Sequence, residues 1–149
     1  MAVLGFGEVD RQGNVNVSRL SGKIIGPGGF MDIAQGARKV VFCGTFTAKG
    51  LGVALQSDGI TIEREGDVRK FVDAVEEITF SGQRAHATGK EVLYVTERAV
   101  FRLVHGGIEL AEVAPGVDIR RDIIERMGFV PAIAAGGPRP MTGPKSPMS

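Results

Sequence analysis

The stretch best suited to chemistry is a glycine-rich turn, Gly26-Pro27-Gly28-Gly29, which leads into a helix-like segment at residues 30–37. Glycine lets a ligand approach the backbone closely because it has no Cβ, and Pro27 makes the turn rigid. Such a turn before a helix can point backbone N–H groups at an anion or a carbonyl oxygen. A tight turn without a ligand explains the same residues, and the spacing matches neither the dinucleotide fingerprint nor the P-loop.

A second candidate is Lys49, in a polar loop that follows the apolar run at residues 39–45. Such a run is typical of a strand buried on both faces of a parallel sheet. Open α/β sheets bind ligands at the carboxyl ends of these strands, so Lys49 can meet a phosphate there. A solvated surface charge fits Lys49 equally well. Cys43 lies inside the run, which favours a packed thiol over a reactive one.

The composition argues against several classes of function. The 149-residue chain has 18 Lys and Arg against 17 Asp and Glu, and its aromatic residues are eight phenylalanines and Tyr94. Neither a charge excess nor stacking aromatics therefore indicate nucleic-acid binding. No apolar run is long enough to span a membrane, and the single cysteine suits a reducing compartment. His86 and His105 show no metal-ligand spacing. We expect one cytoplasmic globular domain without a metal.

The other patterns predict short strands and one late helix, with a turn at residues 10–14 before a returning strand and a hairpin turn at residues 57–59. Strands are predicted at residues 3–9, 15–18, 39–45, 53–56, 60–63, 71–80, 92–96 and 108–113, the last as an edge strand, with a bend and a strand or short helical turn at 97–103. The charged segment at residues 64–70 is expected to be exposed. Asp118 is a suitable N-cap for a helix at residues 119–127, which Gly128 ends in a C′ position. The Gly- and Pro-rich residues 134–149 predict a disordered tail.

Six segments, taken in order, resemble the C-terminal end of the family I coenzyme A transferases. They are residues 8–18, 26–33, 40–50, 70–72, 94–101 and 112–118. The sequence is most similar to the single-chain propionate or acetate CoA-transferase branch, and more distantly to the β part of succinyl-CoA:3-oxoacid CoA-transferase. The resemblance covers roughly residues 3–133, and the ordered set is specific although each segment alone is weak.

The resemblance implies an α/β fold with three layers, Rossmann-like (NagB/RpiA-like) and incomplete at its N-terminus, over residues 1–133. It implies ping-pong transfer of CoA between carboxylates, through an anhydride and then a thioester on a glutamate side chain. That glutamate belongs to a family segment upstream of the first strand seen here. No glutamate of this sequence occupies the matching motif, and Glu97, although in a recurrent family stretch, is not the nucleophile. The substrates implied are a carboxylate and a short-chain acyl-CoA such as acetyl-, propionyl- or acetoacetyl-CoA, with no permanently bound cofactor.

The resemblance also assigns a role to the glycine turn. The matching Gly-Gly loop of the family lies against the thioester, which makes Gly28 and Gly29 backbone contacts to the oxyanion and gives Gly26 the shaping of the turn. Lys49 is kept as a candidate contact to CoA, and neither a nucleophile nor a metal ligand is expected in this chain. The implied partner is the N-terminal CoA-transferase part, on the same or a separate chain, in a homo- or hetero-oligomer.

Two other classes of function stay open. The chain can be a non-catalytic module that binds CoA or acyl-CoA through the glycine turn, or a structural subunit that completes the sheet of another chain. The first predicted strand begins almost at residue 1, which hints at an upstream part. A neighbouring upstream reading frame that encodes the N-terminal domain and the glutamate segment favours a truncated or split enzyme. We expect the isolated chain to be inactive.

Overall fold

The computed structural model describes residues 1–17 and 36–141, and its largest feature is a mixed sheet of seven strands. The elements are the strands β1 Ala2–Gly5, β2 Glu8–Asp10, β3 Val15–Asn16, β4 Lys39–Cys43, β5 Thr47–Ala48, β6 Gly52–Gln56, β7 Gly59–Arg64, β8 Val68–Arg69, β9 Phe71–Val72, β10 Glu91–Val95, β11 Ala99–Val104, β12 Gly107–Val113, β13 Ala132–Ile133 and β14 Arg139–Pro140, and the helix α1 Gly82–Ala87. The main sheet has the order β1-β4-β10-β11-β12, and β13 and β14 both pair with β12. The other strands form the small sheets β3-β2-β9, β5-β8 and β6-β7.

Three parallel strands form one half of the main sheet, with β4 between β1 and β10. Val40 and Phe42 of β4 are fully buried, whereas Cys43 is exposed. The prediction of a strand at residues 39–45 is thus confirmed. The predictions that this strand is buried on both faces and that the Cys43 thiol is packed in the core are wrong. Successive side chains of a strand point to opposite faces, and only one face of β4 is completely buried.

The antiparallel half of the sheet contains β10, β11 and β12. The prediction that β12 is an edge strand is wrong, because Glu109 pairs with Ala132 of β13 and Glu112 pairs with Arg139 of β14. These partners come from later in the chain, so local alternation cannot reveal them. Residues 139–140, which fall in the predicted disordered tail, are therefore a strand, while residues 142–149 of that tail lie outside the described residues.

The opening strand predicted at residues 3–9 divides into two strands. β1 belongs to the main sheet, whereas β2 pairs with β3 and β9. Between them Phe6 is buried in the core, and the Gly7 N–H donates a hydrogen bond to the carbonyl oxygen of Asn16 at 3.1 Å. The turn at residues 10–14 and the returning strand are confirmed, because β2 and β3 form an antiparallel pair.

The next predicted hairpin is confirmed, and the strand after it is only partly correct. β6 and β7 pair antiparallel around Ser57 and Asp58. The strand predicted at residues 71–80 ends at Val72, and Phe80 makes only an isolated bridge with Val15. Mixed apolar spacing at residues 71–80 did not distinguish a bent segment from a strand.

The helix α1 was not predicted from the sequence. Ser81 is its N-cap, and the Ser81 hydroxyl accepts a hydrogen bond from the Arg84 N–H at 3.2 Å. Gly82 and Ala85 are its buried residues, so its apolar face is too small to produce a clear helical pattern.

The predicted helix at residues 119–127 is a pair of irregular turns. A π-helical turn, Ile119–Ile123, runs into a 3₁₀ turn, Ile124–Arg126. The N-cap is confirmed, because the Asp118 carboxylate accepts a hydrogen bond from the Arg121 N–H at 2.8 Å.

Gly128 directly follows the C-cap residue Met127 and therefore occupies the predicted C′ position. Gly128 is not among the glycines with positive φ, and its N–H donates to the carbonyl oxygen of Phe71 at 2.8 Å. A Cβ on Gly128 would lie 2.8 Å from the backbone nitrogen of Asp73. Close contact with the segment after β9, rather than a left-handed conformation, is therefore what demands glycine here.

Aromatic rings fill the core on the buried face of the sheet. Phe71 packs against Phe46, with ring centroids 5.0 Å apart, and against Phe101 at 4.9 Å. Tyr94 stacks on Phe42, and its hydroxyl donates a hydrogen bond to the carbonyl oxygen of Gly13 at 2.6 Å. Burial raises the pKa of Tyr94, and the nearby Asp10 carboxylate raises it further. The hydroxyl therefore stays protonated and serves as a donor.

Gly128→Ala tests the contact between the irregular turns and β9. The added methyl group meets backbone atoms, which cannot move aside as a flexible side chain would, so we expect a loss of about 1–3 kcal/mol in the free energy of unfolding. Urea denaturation measures it. Gly36→Ala is the matched control, since its Cβ would meet nothing within 4 Å, and its stability should stay near that of the wild type. Equal stabilities of the two variants would contradict the close contact.

Candidate functional site

A cavity of about 800 Å³ opens at the carboxyl ends of the parallel strands β1 and β4. Among the described residues its lining consists of Phe6, Gly7, Glu8, Thr45, Ala48, Lys49, Val68, Arg69, Lys70, Val72, Ala74 and Glu76. Phe6 directly follows β1, and Thr45 lies two residues after β4. This is the sheet edge at which open α/β folds bind their ligands, and its volume suits a small molecule.

Lys70 is the buried cation of this cavity. The residue is only 9% exposed, and its ammonium group lies 4.2 Å from the centroid of the Phe6 ring, a cation–π contact. Burial lowers the pKa of Lys70, and the Glu97 carboxylate opposes that shift through its charge. The prediction that residues 64–70 are exposed is therefore wrong at Lys70, because the side chain turns under the ends of the strands instead of facing solvent.

The exposed basic groups at this cavity are Lys49 and Arg69. Lys49 has a φ of 62°, and its carbonyl oxygen accepts a hydrogen bond from the Asp67 N–H at 2.9 Å. The structure thus places Lys49 in the cavity wall with its side chain open to solvent, and its contact with CoA stays a prediction. The predicted site residues Gly26, Gly28 and Gly29 lie outside the described residues.

Two carboxylates also line the cavity. Glu8 is buried, and its Oε1 accepts hydrogen bonds from the Asn16 side-chain amide at 2.9 Å and from the Glu76 N–H at 3.1 Å. The resemblance implies that the nucleophile of the family is not Glu8. The two hydrogen bonds give Glu8 a structural role instead, because they join β2 to the segment after β9. Glu76 itself is exposed.

A buried ion-pair network lies next to the cavity, and its centre is Arg98. The Arg98 side chain is 0% exposed and makes two parallel hydrogen bonds of 2.8 Å to the Glu65 carboxylate. It also donates to a Glu97 oxygen and, at 2.8 Å, to the carbonyl oxygen of Asp122. Burial lowers the pKa of Arg98, but the bonds to Glu65 and Glu97 outweigh burial and leave it raised. Such charge-assisted, bidentate pairs are strong and directional.

The carboxylates of this network hold the loops that surround the cavity. Glu65 accepts a hydrogen bond from the Thr47 hydroxyl at 2.6 Å, and Glu97 accepts one from the Phe46 N–H at 2.7 Å. Burial raises the pKa of Glu65, but the bonds from Arg98 and Thr47 outweigh burial and leave it lowered. Glu97 therefore has a structural explanation. Sequence reasoning missed this network because its members come from separate segments.

The two histidines, distant in sequence, are neighbours in the structure. The rings of His86 and His105 lie 5.6 Å apart between their centroids. Residues 1–17 and 36–141 contain no group of three or more His, Cys, Asp or Glu side chains placed to hold a metal ion. Within the same residues, no helix has the length and apolar character needed to cross a membrane.

Glu65→Gln tests the network. It leaves the buried Arg98 charge without its bidentate partner, so we expect a loss of about 3 kcal/mol in the free energy of unfolding at pH 7. Glu63→Gln, at an exposed position of β7, is the control and should change stability by less than about 0.5 kcal/mol. Urea denaturation measures both variants.

The pH dependence of stability gives the same test a second readout. Because the pKa of Glu65 is lowered from 4.5 in the folded state, its contribution is complete above that value and is lost as the pH falls through the folded-state pKa. The wild type should therefore lose more stability on acidification than Glu65→Gln does. Parallel pH profiles would contradict the ion pair.

Three relatives resemble this chain in sequence. The acetate CoA-transferase YdiF of Escherichia coli O157:H7 is 48% identical over 131 residues, which cover 88% of this chain and 25% of the relative. The caffeate CoA-transferase of Acetobacterium woodii is 45% identical over 140 residues, covering 91% of this chain and 26% of the relative. The acetate CoA-transferase subunit beta of Haemophilus influenzae is 31% identical over 118 residues, covering 78% of this chain and 43% of the relative.

Crystal structures of the acyl-CoA transferase YdiF from Escherichia coli O157:H7, as the apoenzyme and as a thioester complex with CoA, share the fold. Each gives a TM-score of 0.87 with 46% sequence identity and covers 94% of this chain and 27% of the solved chain. No protein-family model matches the chain. The α/β fold expected from the resemblance is confirmed, and the chain spans about a quarter of the length of the curated relatives it matches first. Over most of its length this chain is therefore similar to CoA-transferases, and it corresponds to about one quarter of the relatives it matches first.

Proposed function

We propose that this chain is one part of an acyl-CoA:carboxylate CoA-transferase that acts on short-chain acyl groups such as acetyl, propionyl or acetoacetyl. The observation that carries the proposal is 48% identity to an acetate CoA-transferase over 88% of this chain. Transfer is ping-pong, through a glutamyl-CoA thioester whose glutamate is supplied from outside this chain. CoA enters as a substrate thioester rather than as a bound cofactor.

The cavity at the ends of β1 and β4 is the part of the active site that this chain contributes. The predicted glycine turn supplies Gly28 and Gly29 as backbone donors to the oxyanion, and Gly26 shapes it. Lys49, in the cavity wall and open to solvent, is suited to a phosphate of CoA because an exposed ammonium is mobile and hydrated. The substrate carboxylate then lies deeper, toward the strand ends.

The partner is the remainder of the transferase, on the same or a separate chain, and the assembly is an oligomer. The length of the relatives supports this, since the chain matches about a quarter of the acetate CoA-transferase of Escherichia coli and of the caffeate CoA-transferase of Acetobacterium woodii. The similarity to an acetate CoA-transferase subunit beta supports division over two chains as one arrangement. We also propose a cytoplasmic location, which the single cysteine supports.

A complementation experiment tests the function. The chain is purified alone, and also after co-expression with the other three quarters of the Escherichia coli relative. Formation of propionyl-CoA from acetyl-CoA and propionate is then followed by mass spectrometry. We expect no turnover above a mock purification from the chain alone, and turnover from the co-expressed complex.

The outcomes separate the competing functions. Turnover by the chain alone would place the nucleophile within it and contradict the proposal. A stable complex that binds CoA without transfer would support a non-catalytic binding module. A complex that neither binds CoA nor transfers it would indicate that the chain is a structural subunit.

Gly29→Ala in the complemented enzyme tests the glycine turn. A methyl group that displaces the acyl group from the backbone donor should lower kcat and kcat/KM together by about 100-fold, the cost of losing one oxyanion donor. Gly36→Ala is the control, because its Cβ would meet nothing within 4 Å. A folded Gly29→Ala enzyme with unchanged kcat would make the turn purely structural.

Lys49→Ala in the same enzyme tests the contact with CoA. Loss of one phosphate contact made equally in the ground state and the transition state should raise KM for acetyl-CoA while kcat stays unchanged. Steady-state kinetics measure both constants. An unchanged KM for acetyl-CoA would indicate that Lys49 is a solvated surface charge without a contact to CoA.

A further inference from the structure

In the part of the chain that the structure describes, Lys70 differs from the other buried cation, Arg98, in having no hydrogen-bonded or ion-paired partner. Within residues 1–17 and 36–141, neither a hydrogen bond nor an ion pair engages its ammonium group, whose contacts are the Phe6 ring and the distant charge of Glu97. Burying an unpaired charge costs free energy, and an apolar side chain of similar length would fill the same space without that cost. A buried ammonium that faces a cavity is therefore a candidate for binding an anion.

The surroundings hold this ammonium at the ends of the strands. The Lys70 carbonyl oxygen accepts a hydrogen bond from the Val9 N–H at 2.8 Å, which fixes the backbone beside β2. A Cβ on Gly44 would lie 2.9 Å from the Lys70 Nζ, so the absence of a side chain there leaves room for the ammonium group. Lys70 is thus placed in the cavity before any ligand arrives, which lowers the entropic cost of binding.

The nearby carboxylates do not take the place of a ligand. Glu97 is engaged by Arg98 and by the Phe46 N–H. Glu8, in the cavity lining, is engaged through its Oε1 by Asn16 and by a backbone N–H. The positive charge of Lys70 therefore stays available to a bound molecule.

We propose that Lys70 binds the carboxylate group of the acid that exchanges CoA, with the aliphatic part of that acid against Phe6 and Val72. This inference rests on the proposed function, which supplies a carboxylate substrate. One buried ammonium beside apolar walls matches a single negative charge on a small organic acid. The phosphates of CoA carry several charges and are better matched by the exposed Lys49 and Arg69.

The first test uses the chain as it exists, with propionate as the probe. Melting temperature is measured with increasing sodium propionate and, at equal ionic strength, with sodium chloride or sodium phosphate. At ten times its Kd, propionate should raise the melting temperature of the wild type by about 3 °C relative to chloride. Lys70→Met should show no such shift, whereas Lys49→Met, the control, should keep it.

The same melts distinguish a binding role from a structural one. Without propionate, Lys70→Met should melt at or above the wild-type temperature, because it removes an unpaired buried charge. If Lys70→Met and Lys70→Gln both melt at least 5 °C lower, the ammonium is structural and the proposal is overturned. It is also overturned if propionate gives no shift in the wild type, if Lys70→Met keeps the shift, or if phosphate reproduces it.

Kinetics of the complemented enzyme provide the second test. Lys70→Met should raise KM for propionate at least about 10-fold, the effect of losing one charged contact, and leave KM for acetyl-CoA within about 2-fold of the wild type. An unchanged KM for propionate would overturn the proposal while leaving the transferase function intact. Because the melts need no CoA transfer, failure of complementation and failure of the Lys70 assignment give different results.

Discussion

The pairing of the buried Arg98 guanidinium is the constraint on which this part of the structure depends. A charge that is 0% exposed is tolerated only when its donors are satisfied, and here Glu65, Glu97 and the Asp122 carbonyl oxygen satisfy them. These partners come from the end of β7, the turn before β11 and the irregular turns after β12. One side chain thus joins three segments that are separate in the sequence. Arginine suits this position because its planar group can bind a carboxylate through two parallel bonds while it stacks over the Phe46 ring at 4.7 Å.

The network also explains how the cavity keeps its shape. The same carboxylates accept hydrogen bonds from Phe46 and Thr47, which begin the segment carrying Lys49. These hydrogen bonds therefore connect the cavity wall to the ion-pair network. Phe46 also packs in the aromatic cluster around Phe71. Rigid support of this kind lets loops present binding groups at fixed positions.

Arg98 and Lys70 show two different uses of a buried positive charge. Arg98 is saturated by fixed partners and stabilises the fold, whereas among the described residues Lys70 meets only an aromatic ring and an opposing charge at longer range. A compact ammonium on a flexible stem can pair with a ligand that comes and goes, and it does not need the two-point geometry that a guanidinium prefers. The proposed function needs both kinds of group, because a small carboxylate and a large, highly charged thioester would then be bound side by side.

Local sequence patterns were sufficient to predict the short elements and the resemblance to the CoA-transferases. Turn residues placed the β2–β3 and β6–β7 hairpins, apolar runs placed β4 and β10, and six ordered segments pointed to the CoA-transferases. Which faces are buried and which segments meet became visible only in the folded chain. Cys43 is exposed, β12 lies inside the sheet, Lys70 is buried and Gly128 is required by a neighbouring backbone. The physical reason is that hydrogen bonds within turns and short strands depend on adjacent residues, whereas burial and ion pairing depend on partners far away in the chain, which local periodicity does not encode.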